Sequence, residues 1–238
     1  MKTKLTMMVA MAMACTAVQL TATPTAEETK GTKTYGGYTW SYRMRNGKAT
    51  LVAEKDGKYS CAVSPAPTGK VSIPPTLNYV KVTRIGRAAF LDCKELTAVT
   101  IPEGVTHIDG RAFDLCGGLK SVTLPSSLKE IGFAVFGKCV GLTSVTIPNG
   151  VKSIGPDAFN GCGLKSVVIP ESVTRMGDRA FGGCGELESV TMLGECPKAK
   201  KEIFRKCGKL KAIHVPANAK SWAGMKEWQG IPLVFDAK

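Results

Sequence analysis

The sequence Ala-Phe-x-x-Cys, or a close variant of it, recurs along the chain at a nearly constant interval. The interval is 22 or 23 residues, and the six phenylalanines are Phe90, Phe113, Phe136, Phe159, Phe181 and Phe204. Each phenylalanine is followed three residues later by a cysteine. A period of this length is typical of solenoids, in which each repeat forms one turn of a stack. The repeat therefore predicts one elongated domain.

Each repeat contains the pattern of a short half-buried strand. After Leu119, the apolar residues Val122 and Leu124 alternate with polar ones, which is the period of a strand with one buried face. Proline follows the strand in most repeats, and because proline has no N–H to donate, it suits the point where the chain leaves a ladder. A second apolar pair comes next, and we expect a short helical or 3-10 turn carrying Phe-x-x-Cys to return the chain.

Repeats of this length stabilise one another by stacking, because a single repeat cannot bury enough apolar surface. Parallel strands lie roughly 4.8 Å apart, so equivalent side chains of adjacent repeats come into contact. The phenylalanines are therefore predicted to form a continuous internal column.

The full pattern Leu-x-x-Val-x-Ile-Pro-x-x-Val-x-x-Ile-Gly-x-x-Ala-Phe-x-x-Cys resembles that of the BspA-like bacterial leucine-rich repeats, over about residues 71–215. The resemblance implies an α/β but mostly β solenoid that is curved and right-handed. It also implies a surface or secreted protein that acts in adhesion and protein binding. The motif consists of core positions, so no binding residue can be carried over from the family.

The beginning of the chain has the layout of a secretory signal peptide. Lys2 and Lys4 precede an apolar run that ends in small residues near Ala22. A lipid anchor at Cys15, which follows a small residue, is an alternative. No other apolar run approaches the roughly 20 residues of a membrane helix, so no transmembrane segment is expected after signal removal. We expect export, to the medium or the cell surface, with the periplasm as an alternative.

The two ends of the repeat region are expected to be capped. Asn46-Gly47 lies between alternating apolar residues and indicates a β-hairpin. Near the other end, Trp222 and Trp228 are interpreted as part of a cap, although aromatic pairs also bind sugars. The expected division is a signal peptide (1–22), a flexible linker (23–34), an N-terminal β cap (35–70), a leucine-rich repeat solenoid (71–215) and a C-terminal cap (216–238).

The net charge of +13, which falls to +11 without Lys2 and Lys4, could attract anionic polymers. However, the basic residues are spread over the variable positions of the repeats, where exposed edges need polar side chains. An anionic glycan therefore stays an alternative partner. Nucleic acid is not expected, because export argues against it and the chain has no recognition motif for it.

The cysteines and histidines indicate neither catalysis nor a cofactor. Six of the eight cysteines after residue 22 occupy one core position, so mostly free thiols are expected, with disulfides between neighbouring turns left open. The chain has no CxxC pair and no Cys/His cluster that would predict a metal site. His107 and His214 lie in no recognised catalytic motif. We expect no enzyme activity.

The outward positions of the strands are the candidate binding face, because solenoids bind partners along their concave surface. This column comprises Thr100, Thr123, Thr146, Val168, Thr191 and His214, and the next row carries Lys120, Lys165 and Glu188. An ordinary solvated β-face would show the same pattern. The function expected is a monomeric, non-catalytic protein-protein interaction module, and in particular an adhesin for host or matrix proteins. The alternatives are an envelope scaffold for another bacterial protein and a secreted binder of anionic glycans.

Overall fold

The computed structural model describes residues 28–53 and 61–237, so the expected signal peptide and Cys15 lie outside the described residues. The first strands are β1 (Thr29–Tyr35), β2 (Tyr38–Arg45), β3 (Lys48–Leu51), β4 (Val63–Ser64), β5 (Gly69–Ser72), β6 (Thr76–Leu77) and β7 (Val80–Ile85). The repeats contain β8 (Leu96–Thr100), β9 (His107–Ile108), β10 (Ser121–Thr123), β11 (Glu130–Ile131), β12 (Ser153–Ile154), β13 (Ser166–Ile169), β14 (Arg175–Met176), β15 (Ser189–Met192), β16 (Lys198–Ala199) and β17 (Ile213–Pro216). A 3-10 helix, Lys220–Trp222, precedes β18 (Glu227–Trp228) and β19 (Ile231–Asp236).

One parallel ladder, called here the rear ladder, runs unbroken along the stack. It consists of β7, β9, β11, β12, β14 and β16, in that order. The register places Ile108 beside Ile131 and Ile131 beside Ile154, so equivalent positions of successive repeats are neighbours. These isoleucines are buried, as the second apolar pair of the repeat predicts.

The strands that end at Ile-Pro form the front ladder, which is in two parts. β5, β8 and β10 make the first part, and β13, β15, β17 and β19 make the second. Residues 144–149, which lie between the two parts in sequence, form no strand. The break lies beside the 22-residue repeat, in which one residue separates Cys162 from Leu164 where two separate Cys139 from Leu142.

The Phe-x-x-Cys segments form the third side of the stack, and the expectation of a helical or 3-10 turn there is wrong. In each segment, the residue two positions before the phenylalanine and the residue two positions after it have positive φ values, between 49° and 70°. The pairs are Ala88 and Asp92, Arg111 and Leu115, Ala134 and Lys138, Asp157 and Gly161, Arg179 and Gly183, and Glu202 and Lys206. This conformation directs alternate amides to the next repeat: Phe113 N donates to Val135 O at 2.8 Å, and Phe136 N donates to Ala158 O at 2.8 Å.

The predicted phenylalanine column is present and is the centre of the core. Adjacent rings from Phe90 to Phe204 stack with centroids 4.8 to 5.9 Å apart and with their planes within 20° of parallel. Trp40 meets Phe90 edge-on at one end, and Trp228 meets Phe204 edge-on at the other. Mostly β structure with a spacing of about 23 residues is thereby confirmed.

The N-terminal cap contains the predicted hairpin, because β2 and β3 pair antiparallel around Asn46-Gly47. β3 continues the rear ladder through parallel pairing with β7. Part of the segment expected as a flexible linker is a strand instead, since β1 pairs with β2 along its whole length. The sequence did not predict this strand, because β1 is almost entirely exposed and its alternating residues, such as Thr32 and Thr34, are polar.

The C-terminal cap closes the other end with its two tryptophans. Trp222 is fully buried and its Nε1 donates to the Gly194 carbonyl at 2.8 Å. Its ring lies edge-on to Trp228 with the centroids 5.5 Å apart. Both rings are buried, which fits the cap and leaves little ring surface for a sugar. No helix among the described residues is long and apolar enough to cross a membrane.

Candidate functional site

The exposed side of the front ladder, together with the residues directly before its strands, is called here the front face. It includes eight of the nine residues of the predicted site, and Thr146 lies in the break between its two parts. Its strands alternate as expected: Val167 and Ile169 are buried, whereas Val168 between them is 50% exposed. Thr100, Thr123 and Thr146 are exposed, and Thr191 and His214 are partly exposed. Of the flanking row, Lys120, Lys165 and Glu188 are exposed.

The structure brings the column together in two pieces. Thr123 lies beside Thr100 in the first part of the front ladder, and Thr191 lies beside both Val168 and His214 in the second part. Thr146 falls in the break, where no strand pairing aligns it with either piece. The sequence therefore predicted which residues make up the column. The expectation that they form one continuous column was wrong.

Each piece is one residue longer than the sequence analysis proposed. Ser72 lies beside Thr100, and Val234 lies beside His214. Ser72 could have been found, since it precedes Ile73-Pro74 as Thr100 precedes Ile101-Pro102. Val234 could not have been predicted in this way, because the sequence of β19 does not follow the repeat pattern.

The second piece is held in place by side-chain and backbone hydrogen bonds. His214 Nδ1 lies 3.0 Å from Asp236 Oδ1, which orients the imidazole along the ladder. The Glu188 amide donates to the Lys165 carbonyl at 2.8 Å and so aligns the flanking row. The second piece of the column therefore has a fixed spacing between its side chains.

An exposed ion pair adds charge to the edge of this surface. Lys209 Nζ donates to Glu186 Oε2 at 2.6 Å. The ammonium lowers the pKa of the Glu186 carboxyl, and the carboxylate raises the pKa of Lys209. Both groups are fully exposed, so the pair is expected to contribute little to stability.

An open cleft of about 550 Å³ lies where the last repeat meets the C-terminal cap. Lys201, Arg205 and Lys206 line it, together with Gln229 and Glu202. Arg205 Nη1 is bound to Glu202 Oε2 at 3.1 Å. Sequence reasoning missed this cluster, although the density of Lys and Arg between 198 and 211 could have indicated it.

Metal-ligating side chains do not cluster within the part of the chain that the structure describes. No group of three or more His, Cys, Asp and Glu residues there could hold a metal ion. His107 lies on the rear ladder, with Nδ1 2.8 Å from Thr106 Oγ1, and His214 lies on the front ladder. The front face presents threonine hydroxyls and the His214 imidazole as hydrogen-bonding groups, and Val168 and Val234 as exposed apolar groups.

The eight cysteines in the described residues are free thiols. Five of them donate a hydrogen bond to the carbonyl of the phenylalanine in the preceding turn, at 3.0 to 3.2 Å; they are Cys116, Cys139, Cys162, Cys184 and Cys207. Burial raises the pKa of Cys162 to about 12 and also raises the pKa of Cys139. Cys139 and Cys162 therefore form few thiolates at neutral pH and pack as small core side chains.

Comparison with known families identifies the repeat. A family model described as BspA type leucine-rich repeat region matches residues 70–185 and 129–224, with six copies. No curated protein matches the chain.

Two solved structures carry the same fold. A leucine-rich repeat protein from Bacteroides ovatus is 34% identical with a TM-score of 0.59; the match covers 81% of this chain and 47% of that one. A leucine-rich repeat protein from T. pallidum is 30% identical with a TM-score of 0.56; the match covers 66% of this chain and 81% of that one. The chain thus spans about half the length of the Bacteroides protein.

Proposed function

Because the chain belongs to the BspA-type leucine-rich repeat family, we propose that it is an exported, non-catalytic module that binds another protein through its front face. Repeat proteins generally mediate protein interactions, and solenoids use their ladder surfaces for this purpose. The partner favoured here is a host or matrix protein, which would make the chain an adhesin.

The observation that carries the proposal is the aligned column of Val168, Thr191, His214 and Val234 on the second part of the front ladder. Val168 is 50% exposed and Val234 is 41% exposed, so each can contribute apolar contact area. Thr191 and His214 lie between them and offer hydrogen-bonding groups. Protein interfaces combine apolar contact area with direct hydrogen bonds, and this column offers both.

Rigidity of this surface favours binding. The side chains are carried by paired strands whose opposite side packs on the buried core, as Val190 and Ile213 show. A surface that is already ordered loses little conformational entropy on association. The front face is therefore suited to recognising a partner without rearranging.

Export is supported by the layout of residues 1–22, which lie outside the described residues. A surface location would suit an adhesin, and a periplasmic location would suit a scaffold for an envelope protein. Both use the same front face. Protease accessibility on intact cells separates them, because only a surface protein is cleaved before the cells are broken.

The proposal is tested by binding of residues 23–238 to immobilised matrix glycoproteins, with Val168→Arg as the variant. A cation placed in the second piece, beside Thr191, should weaken binding at least about tenfold through steric and desolvation costs. Thr174→Arg is the matched control, because Thr174 is exposed beside the rear ladder. Equal binding by both variants would place the site elsewhere on the molecule.

A second candidate function rests on the basic cleft at Lys201, Arg205 and Lys206. Three cations converging on one depression favour an anionic glycan. Such binding should disappear at about 0.5 M salt, where charges are screened within a few ångströms. It should also be lost in Lys201→Glu and remain in Val168→Arg, the opposite of the result expected for a protein adhesin.

A further inference from the structure

The first cysteine of the repeat series has a different partner from those that follow it. Cys116 Sγ donates to the Phe90 carbonyl at 3.0 Å, and the later repeats copy this contact. Cys93 lies in the first turn that has the motif, so no phenylalanine precedes it in the column. Its thiol instead lies 3.5 Å from the Cys61 sulfur.

Cys61 is held at this position by the N-terminal cap. The Cys61 thiol donates to the Ala89 carbonyl at 3.1 Å, and the Ala62 amide donates to the same carbonyl at 2.6 Å. Cys61 is partly exposed, whereas Cys93 is 6% exposed. Cys61 is therefore the more exposed residue of the pair, and its sulfur lies 3.5 Å from that of the buried Cys93.

We propose that Cys61 and Cys93 are a cross-linking site, at which a disulfide joins the N-terminal cap to the first repeat when the protein meets an oxidising disulfide. A disulfide has a sulfur-sulfur distance of about 2.04 Å, so the two sulfur atoms must approach by about 1.5 Å. Rotation about the side-chain torsions is enough for a movement of that size. The inference concerns the chemistry of the pair and does not depend on the proposed binding function.

The reaction needs two exchange steps and an external disulfide such as oxidised glutathione. In the first step, the Cys61 thiol loses its proton, and its sulfur attacks the reagent, forming a mixed disulfide and releasing one glutathione thiolate. In the second step, the Cys93 sulfur, also deprotonated, attacks Cys61 Sγ and displaces the second glutathione. Overall, the cysteine pair loses two electrons and two protons. Oxidised glutathione takes up these electrons and protons and becomes two glutathione thiols.

The environment of the pair makes this exchange slow at neutral pH. The neighbouring Cys116 thiol and burial raise the pKa of Cys93 to about 12, although the Cys61 hydrogen bond opposes that change. The hydrogen bond with Cys93 and burial raise the pKa of Cys61 as well. Because the thiolate is the nucleophile, cross-linking should accelerate as the pH rises from 7 to 9.

The test uses residues 23–238, kept with oxidised glutathione at pH 8.5, then alkylated under denaturing conditions and digested with trypsin. The expected product is peptide 59–70 linked to peptide 88–94, two hydrogens lighter than the sum of the free peptides. The link should be absent in Cys61→Ser and present in Cys196→Ser, which removes another partly exposed thiol. Both peptides recovered only as alkylated or glutathione-bound forms, or Cys93 linked to Cys116, would overturn the assignment.

A stability measurement gives a second readout that does not depend on identifying the linked peptides. Closing the chain between residues 61 and 93 restricts the unfolded state, so the oxidised protein should melt about 5 to 10 °C higher than the reduced protein. Cys61→Ser should show no such difference between oxidised and reduced samples. If a sample shown to be cross-linked had the same Tm as the reduced protein, the disulfide would not stabilise the fold by joining the cap to the first repeat.

Discussion

The ring of Phe136 stacks on the ring of Phe113, with the centroids 5.5 Å apart and the planes 10° from parallel. The same ring stacks on Phe159 from the other side at 5.4 Å. Phe136 therefore connects the two halves of the solenoid through its side chain. Across these turns the front ladder is broken, and the stacked rings and the rear ladder are continuous.

Phe136→Ala should lower the free energy of unfolding by about 3 to 5 kcal/mol, because it removes a buried ring and leaves a cavity in the column. Phe133→Ala is the control, since Phe133 lies in the same turn and is 49% exposed. Its loss should cost less than about 1 kcal/mol. Equilibrium urea unfolding measures both, and equal effects would show that the stacked ring is not what stabilises this turn.

Lys138→Gly should stabilise the protein by up to about 1 kcal/mol. Lys138 has φ of 55°, a conformation that costs residues other than glycine roughly 1 to 2 kcal/mol, and Gly161 and Gly183 occupy the same position in the next two repeats. Lys129→Gly, at an exposed position without positive φ, should instead destabilise by about 0.5 to 1 kcal/mol. Urea midpoints compare the two, and a loss of stability in both would refute strain at Lys138.

Stability should fall in acid because of a carboxylate that joins the last repeat to the C-terminal cap. Glu195 accepts hydrogen bonds from the Ser221 hydroxyl and from the Ser221 amide, the latter at 2.8 Å, and these bonds lower the pKa of Glu195. A lowered folded-state pKa means that the stabilisation is present above the ordinary value near 4.5 and is lost as the pH falls through the lower folded value.

Glu195→Gln should therefore lower Tm at pH 7 and flatten the decline of Tm below pH 4.5. Glu130→Gln, at an exposed position of the rear ladder, serves as the control and should leave the profile of the parent unchanged. Thermal melts between pH 7 and pH 3 measure the effect. Parallel curves for parent and Glu195→Gln would rule out a contribution from this contact.

The thiols of the repeats should resist modification while the protein is folded. Burial raises the pKa of Cys139 and Cys162, so few thiolates form and reagents cannot reach them. Cys196 is partly exposed and should react with a thiol reagent at pH 8 at least about 100-fold faster. Peptide mapping should show the label at position 196 lost in Cys196→Ser, while label on Cys61, the other partly exposed thiol, remains. Labelling of Cys139 at the rate of Cys196 in native protein would contradict the burial.

The repeat architecture followed from the sequence because each core position recurs at a fixed interval. Val105, Ile108 and Phe113 predict where their equivalents lie in the next three turns, and the burial of those equivalents confirms it. The outward threonines were predictable for the same reason, since a strand places alternate residues on opposite sides. The role of the front face in binding stays a proposal, because a recurring surface pattern does not name a partner.

The tertiary structure alone decided the form of the turns and the continuity of the ladders. Arg111 and Leu115 adopt positive φ against their own preference, because the turns then bond to the neighbouring repeat, as when the Arg111 amide reaches the Phe133 carbonyl at 2.7 Å. Thr146 resembles Thr123 in sequence but leaves the ladder beside a repeat that is one residue short. Cys61 meets Cys93 only after the N-terminal cap has folded onto the first repeat. The core of each repeat is a local pattern of buried residues that recurs along the chain, so the sequence shows it. The form of the turns, the break in the ladder and the cysteine contact depend on hydrogen bonds and contacts between separate segments, and the sequence of a single repeat does not contain them.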